Sequence, residues 1–314
     1  MLQHNDQTIL QILRRSLRFS RYSELLHNQP KMEEILDNRH QNLTLFLPTD
    51  VALEQVRDRL DSRAAQQIED IVRYHIVPWP IATIELVCTP TLPTLLLPDH
   101  LNGPQRLKVA LQPDGLFVDG HAHVELESIR AVNGYIHVID ALLQPPQDTA
   151  MDLMMALPPS EFGIAQYAFS SSGIVTELLG LAFIGATIFV PSNRAFLQLG
   201  NERLRHLLST YGRDELRSLL GAHITLNQTL YSNAYYERER TLQLGFGGRT
   251  NNLCPSGIRW FRLHTLRSNV SHQVQVFRLA RLIEIFVDGY VPIIQRDIVA
   301  KDGVVQTTQF LLAG

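Results

Sequence analysis

The chain has 314 residues, 45% of them apolar and 19% charged, with a formal net charge of −3. That length holds two domains of ordinary size, and the composition is that of a folded globular protein. The near-neutral balance and the absence of a basic run argue against nucleic-acid or membrane-surface binding.

The longest apolar stretch, Leu178 to Val190, has 13 residues and is too short to cross a bilayer, so it is read as core and no transmembrane segment is expected. Two cysteines, Cys88 and Cys254, exclude a disulfide scaffold and are expected to stay reduced and packed. At the N-terminus Ile9, Leu10, Ile12, Leu13 and Leu17 recur at helical spacing, and the helical pattern continues to about residue 37. The interspersed Arg14, Arg15 and Arg18 read as the outer face of a first helix; no secretory leader is recognised.

A strand over Leu43 to Leu47 ends at Pro48, and Thr49 or Asp50 is suited to cap the helix that carries Ala52, Leu53 and Val56. A second helix from about Ala64 to His75 is broken by Val77-Pro78-Trp79-Pro80. Short strands are expected at Leu107 to Leu111, Gly115 to Val118, His121 to Leu126 and Tyr135 to Leu143. They are punctuated by Asp114-Gly115, Asp119-Gly120 and Asn133-Gly134. Helices first and strands after, within one domain, predict a segregated α+β fold. Gln144-Pro145-Pro146-Gln147-Asp148 reads as a short, stiff linker.

The chain then repeats itself. Thr44 to Leu53 (Thr-Leu-Phe-Leu-Pro-Thr-Asp-Val-Ala-Leu) recurs at Thr187 to Phe196 (Thr-Ile-Phe-Val-Pro-Ser-Asn-Arg-Ala-Phe), an offset of 143 residues. His75 recurs as His223 at an offset of 148. Phe117-Val118-Asp119-Gly120 recurs as Phe286-Val287-Asp288-Gly289, and Asn133-Gly134 as Asp302-Gly303, both at 169. Block order is kept and the offset only grows, so the chain is read as two copies of one fold, residues 1–147 and 148–314. The growth in offset places an insertion at about residues 232–275 of the second copy. Ser192-Asn193 stands where Thr49-Asp50 does, so a proline that stops the strand and a polar cap are required at both places.

These blocks resemble the fasciclin domain. The first copy carries the opening motif Thr44 to Leu53, then Tyr74-His75, then the closing block Asn133 to Pro145. The second carries the opening motif and His223, with Ala222 in place of the tyrosine, and a diverged close over Asp302 to Thr308. The resemblance covers nearly the whole chain. It implies two wedges or sandwiches of β-strands decorated by helices. It also implies an extracellular family known for adhesion to cell-surface or matrix proteins and glycans, in which the Tyr-His segment and an Asp-Ile pair contact receptors. By that analogy Tyr74, His75, Asp297 and Ile298 are binding candidates, although neither copy holds both elements: the first has Glu127-Ser128-Ile129 where the pair would stand. Some microbial and fungal members appear in natural-product pathways beside oxidases. No catalytic signature is shared across the family, and no cofactor is expected.

Four groups of side chains have chemistry of their own. His121, His123, Glu125 and Glu127 alternate on one expected strand, a spacing open to a metal, although a solvated polar face opposite Ala122, Val124 and Leu126 is the reading that alternation favours. His75 and His223, at helix ends, read first as bonded to backbone carbonyls. His137 lies in the closing strand and its counterpart is Gln306. The insertion interleaves Tyr235, Tyr236, Arg238 and Arg240 with Trp260, Phe261, Arg262 and His264. Aromatics among arginines can stack on and pair with a planar anionic or phenolic ligand; the competing reading is packing. If a reaction is catalysed, one acid or base from His75, His137, His264 or Tyr235 is the economical arrangement.

Two functions follow: a binding or adhesion module for a protein, glycan or small molecule, or an accessory of a secondary-metabolite pathway that handles an aromatic compound. Sequons at Asn42, Asn227 and Asn269 agree with the secreted location that the family suggests.

Overall fold

The computed structural model describes residues 2–3, 6–233, 235–237, 241–243, 256–267, 269–279 and 281–312, with 2–3, 235–237 and 241–243 described by backbone alone. The chain divides into two compact units: residues 1–98 with 104–145, and residues 146–314 together with 99–103. Each is α+β, with its helices early and its sheets late.

In the first unit the helices Ile9–Arg15, Ser20–His27, Pro30–Asp37 and Ala65–Tyr74 pack on a five-stranded sheet. Its centre is a parallel pair, Leu43–Pro48 beside Gly134–Ile139, in which Leu43 faces Gly134 and Pro48 faces Ile139. A second, four-stranded sheet runs from Thr91–Pro93 through Arg106–Gln112 and Gly115–Val118 to Ala122–His123.

The second unit repeats this plan. Ala186–Pro191 lies parallel to Gly303–Thr308, with Ala186 facing Gly303 and Pro191 facing Thr308. The repeat offsets of 143 and 169 therefore convert the register of one pair into that of the other. The second sheet is longer here: Gly257–His264, Ser271–Leu279, Leu282–Val287 and Val291–Pro292.

Local chemistry explains why these elements start where they do. Thr49 Oγ1 accepts the Ala52 N–H at 3.3 Å and Ser192 Oγ accepts the Ala195 N–H at 3.4 Å, so the hydroxyl is the cap in both units. The neighbouring Asp50 and Asn193 instead reach back to earlier helices. Asp50 accepts the Ser20 and Arg21 N–H groups, and Asn193 accepts the Ile164 N–H and donates to Pro159 and Ser160. The first helix of each unit is tied in the same way: Asn133 Oδ1 accepts the Ile9 N–H at 2.9 Å, and Asp302 Oδ1 accepts the Ala150 N–H at 2.7 Å.

Three expectations are corrected. The apolar run 178–190 is not core throughout: Ala186 to Val190 are buried, whereas Leu179 is 84% exposed and Ile184 50%, because the strand begins only at Ala186. The strand expected over His121 to Leu126 shortens to Ala122–His123, with Val124 bridging to Ile139, and Leu126 stands 78% exposed. Cys88, expected as a free thiol, is buried and disulfide-bonded; Cys254 lies outside the described residues.

The parallel pairs rest on one glycine each. A Cβ at Gly134, whose φ is 144°, would lie 1.8 Å from the Leu43 carbonyl oxygen, and one at Gly303 would lie 2.1 Å from that of Ala186. Both contacts are with backbone, which cannot swing aside. Gly134→Ala and Gly303→Ala are each expected to cost about 3 kcal/mol or more, or to abolish folding of their unit, read as a shift in the urea midpoint. Gly120→Ala, with nothing within 4 Å of the added Cβ, is the control for φ strain alone.

Candidate functional site

The histidines shared by the two copies are internal struts. His75 is fully buried; its Nδ1 donates to the Ile71 carbonyl at 2.7 Å and its Nε2 accepts the Leu143 N–H at 3.1 Å. His223, equally buried, donates to Leu219 at 2.9 Å and accepts from Leu312 at 2.9 Å. Their own carbonyls accept the N–H of Phe46 and Phe189. One histidine, by its ring and its own carbonyl, thus joins the helix end, the central strand and the segment beyond the closing strand. A neutral ring with its proton on Nδ1 satisfies every partner.

Tyr74 is fully buried beside His75, and its hydroxyl donates to Asp119 Oδ2 at 2.9 Å. Asp119 stands in the left-handed region at φ 51° and its Oδ1 accepts the Lys108 N–H. In the second unit Asp288 has φ 52° and its Oδ1 accepts the Gln273 N–H. Ala222 supplies no hydroxyl there; buried His272 takes over, with Nδ1 2.6 Å from Asp288 Oδ2 and Nε2 donating to the Ala222 carbonyl at 2.9 Å. The sequence reading missed His272, and its only signal was the missing tyrosine.

The same substitution of parts occurs at His137. Thr44 Oγ1 donates to the Trp79 carbonyl and accepts the Ile81 N–H, and His137 Nε2 donates to the Ile81 carbonyl at 2.8 Å. Thr187 bonds Gln228 and Leu230 in the same manner, and Gln306 Nε2 donates to the Leu230 carbonyl at 2.7 Å. Imidazole and carboxamide do one job. His137 Nδ1 is buried with no partner among the described residues, whereas Gln306 Oε1 accepts the Asp297 N–H at 3.0 Å.

Several expected binding residues are thereby placed inside the protein. Tyr74, His75 and His137 are fully buried. Asp297 is 1% exposed and held by the Ser232 N–H and hydroxyl and by Gln306; half-buried Ile298 pairs with Val305. Tyr74, His75, His137 and Asp297 are turned into the protein, where their polar groups are held by internal hydrogen bonds; Ile298 keeps part of its surface.

The metal reading also fails on geometry. His121 Nδ1 lies 3.1 Å from the Asp119 carbonyl, His123 packs against the Phe117 ring, and Glu125 pairs with Arg18 at 3.0 Å. Among the described residues no group of three metal-binding side chains exists.

Three of the expected residues do come together on a surface. Strand Gly257–His264 alternates, with Leu263 in the core and Ile258, Trp260, Arg262 and His264 on the outer face. Across the ladder Trp260 faces Gln275, Arg262 faces Gln273, and Ile258 faces Phe277. Trp260 is 54% exposed, and Arg262 forms no ion pair among the described residues. Tyr235 and Tyr236 lie in a two-stranded ladder opposite Gln243 and Leu242, with side chains outside the described set; Arg238 and Arg240 lie outside the described residues.

Two like α+β units, pinned by buried histidines, define a duplicated scaffold protein. The chain belongs to the fasciclin family: the model of the fasciclin domain matches residues 17–145 and 160–312. It is 26% identical to aurofusarin biosynthesis cluster protein S of Gibberella zeae, over 97% of this chain and 77% of that protein. Similarity to stabilin-2 of Rattus norvegicus is 24% over 50% of this chain, and to transforming growth factor-beta-induced protein ig-h3 of Sus scrofa 25% over 59%. The chain covers 11% and 24% of those two proteins. A solved fasciclin domain pair from the insect cell adhesion molecule fasciclin I aligns over 94% of this chain and 96% of its own, at 15% identity and a TM-score of 0.42. Among the described residues no helix is long and apolar enough to cross a membrane.

Two predictions follow from the struts. Burial lowers the pKa of His75, His137 and His223 from 6.5 to about 4 and raises that of Asp119 from 3.8 to about 6. Between about pH 6.5 and 4 the unfolded chain binds a proton at each histidine that the folded chain refuses, so stability falls as pH drops, by about 3 kcal/mol per histidine. Asp119 acts oppositely, because the folded chain keeps its proton from about pH 6 to 3.8 and gains stability on acidification. The two histidines of the first unit outweigh it. Urea midpoints are expected to fall from pH 7 to pH 4.5, with no such fall at a site whose histidine has been replaced by a neutral isostere. Separately, His137→Gln is expected to hold stability within about 1 kcal/mol, while His137→Leu, which strands the Ile81 carbonyl, costs about 2 kcal/mol by chemical denaturation.

Proposed function

We propose that this chain is an accessory protein of a secondary-metabolite pathway that binds a planar aromatic compound on the outer face of the second unit's long sheet. The observation that carries the reading is the exposure of Trp260, Arg262 and His264 on one face of one strand. An indole and a guanidinium two residues apart are set to stack on a ring and to pair with a phenolate or carboxylate. The similarity to the aurofusarin cluster protein, over 97% of this chain and 77% of that protein, supports the pathway; stabilin-2 and ig-h3 match 50% and 59% of the chain. The Cys88 disulfide and the exposed Asn42 and Asn269 of two sequons support passage through an oxidising compartment.

Adhesion is the second reading, favoured by the stabilin and ig-h3 similarities, and the same face would then dock a protein or glycan.

Titration with 1,4-dihydroxy-2-naphthoate is expected to quench tryptophan fluorescence with a Kd in the micromolar range. Trp260→Ala should weaken binding at least about tenfold, and Arg262→Gln should weaken it for the carboxylate but not for 1,4-dihydroxynaphthalene. Deleting the gene should remove or alter an aromatic metabolite in the mass-spectrometric profile. An unchanged profile together with weaker cell cohesion would reject this reading in favour of adhesion.

A further inference from the structure

The first unit contains a cavity of about 460 Å³ among the helices Ser20–His27, Asp50–Glu54, Arg57–Asp61 and Ala65–Tyr74. Its apolar wall is Leu25, Leu53, Leu60 and Ile68, and its polar lining carries three arginines against two carboxylates, a net positive charge. The floor is thus the edge of the apolar core, with Leu53 and Leu60 buried in it, and the rim is cationic.

The three arginines are not equivalent. Arg21 pairs with Glu54 at 2.6 Å, and Arg57 lies 3.5 Å from Glu54 and 3.6 Å from Asp61. Arg63 has no carboxylate partner among the described residues; its Nη2 donates to the neutral Gln144 amide at 3.0 Å, which leaves its other N–H groups for an anion. Arg63 also precedes the ten-residue helix Ala65–Tyr74, whose N-cap is Ala64, a residue with no side-chain oxygen to cap the first turn. Ala65 lines the cavity. Gln29, 7% exposed, lines it too; its Nε2 donates to the Ala65 carbonyl, and its Oε1 accepts no hydrogen bond from the described residues.

We propose that this cavity binds an amphipathic monocarboxylate. The apolar body lies on Leu25, Leu53, Leu60 and Ile68, and the carboxylate is held by Arg63 at the start of the helix. A guanidinium offers the forked donors that a carboxylate fits, and the helix start adds partial positive charge at the same place. The site is separate from the sheet face of the second unit and stands or falls without it.

Isothermal titration with octanoate on the full chain tests the site. Saturable binding is expected below about 1 mM, weakened at least about tenfold when octan-1-ol replaces octanoate and by a similar factor in Arg63→Gln. Arg63→Lys should retain part of the affinity. Gln144→Ala, which removes only the amide neighbour, should change it by less than about threefold. Trp260→Ala should leave it unchanged, which separates this site from the aromatic face. No saturation by 10 mM octanoate overturns the proposal. So does equal affinity for octanoate and octan-1-ol, or a loss that follows Trp260→Ala and not Arg63→Gln. If Arg63→Gln fails to fold, the octanoate and octan-1-ol comparison on the unaltered chain decides.

Discussion

Each unit is organised by a parallel pair of strands whose two members come from opposite ends of the unit's sequence. Leu43–Pro48 meets Gly134–Ile139, and Ala186–Pro191 meets Gly303–Thr308, so the chain must travel through helices and a second sheet before the pair closes. Such long-range pairing carries a large loop-closure entropy, which must be offset by contacts made only when the pair forms. The buried histidine supplies three of them: its ring bonds the helix end and a residue beyond the closing strand, and its backbone carbonyl bonds the central strand. The glycine removes the one side chain that would hold the strands apart.

Around this frame the two units conserve hydrogen-bond positions more strictly than residues. Tyr74 at a helix end and His272 on a strand reach the equivalent carboxylates of Asp119 and Asp288, and His137 and Gln306 serve the equivalent carbonyls of Ile81 and Leu230. A buried donor or acceptor left alone costs more than a change of side chain, so duplication and drift preserve the bond and exchange the group that makes it. It follows that a histidine retained in both copies testifies to buried carbonyls and not to proton transfer. The individuality of the chain lies where this accounting is lax, on the outer face of the second unit's long sheet and on the helical side of the first unit. Those places carry exposed Trp260 and Arg262 in one case and Arg63 without a carboxylate in the other.

The sequence by itself determined the duplication, the α+β class and the place of a polar cap after the proline in each copy. These depend on chemistry that is local or repeated: a proline ends a ladder, and a short polar side chain binds a free amide. Which of the two polar residues caps, and that the repeated strands pair in parallel over a glycine, came from the packed structure. Only the tertiary structure decided which side chains face water. Tyr74 and Asp297 read as a contact surface until the elements packed against them are known, whereas His75 was already read as bonded to a backbone carbonyl, and Leu179 to Ile184 read as core until the start of the strand at Ala186 leaves most of them outside. His272 was invisible because its partner, Asp288, is 16 residues away and the vacancy that it fills belongs to a third segment. Two cysteines far apart in the sequence read as reduced and packed, and only the folded chain makes Cys88 a disulfide. Burial and pairing between remote segments are properties of the packed whole, and alternation along a single strand cannot report them.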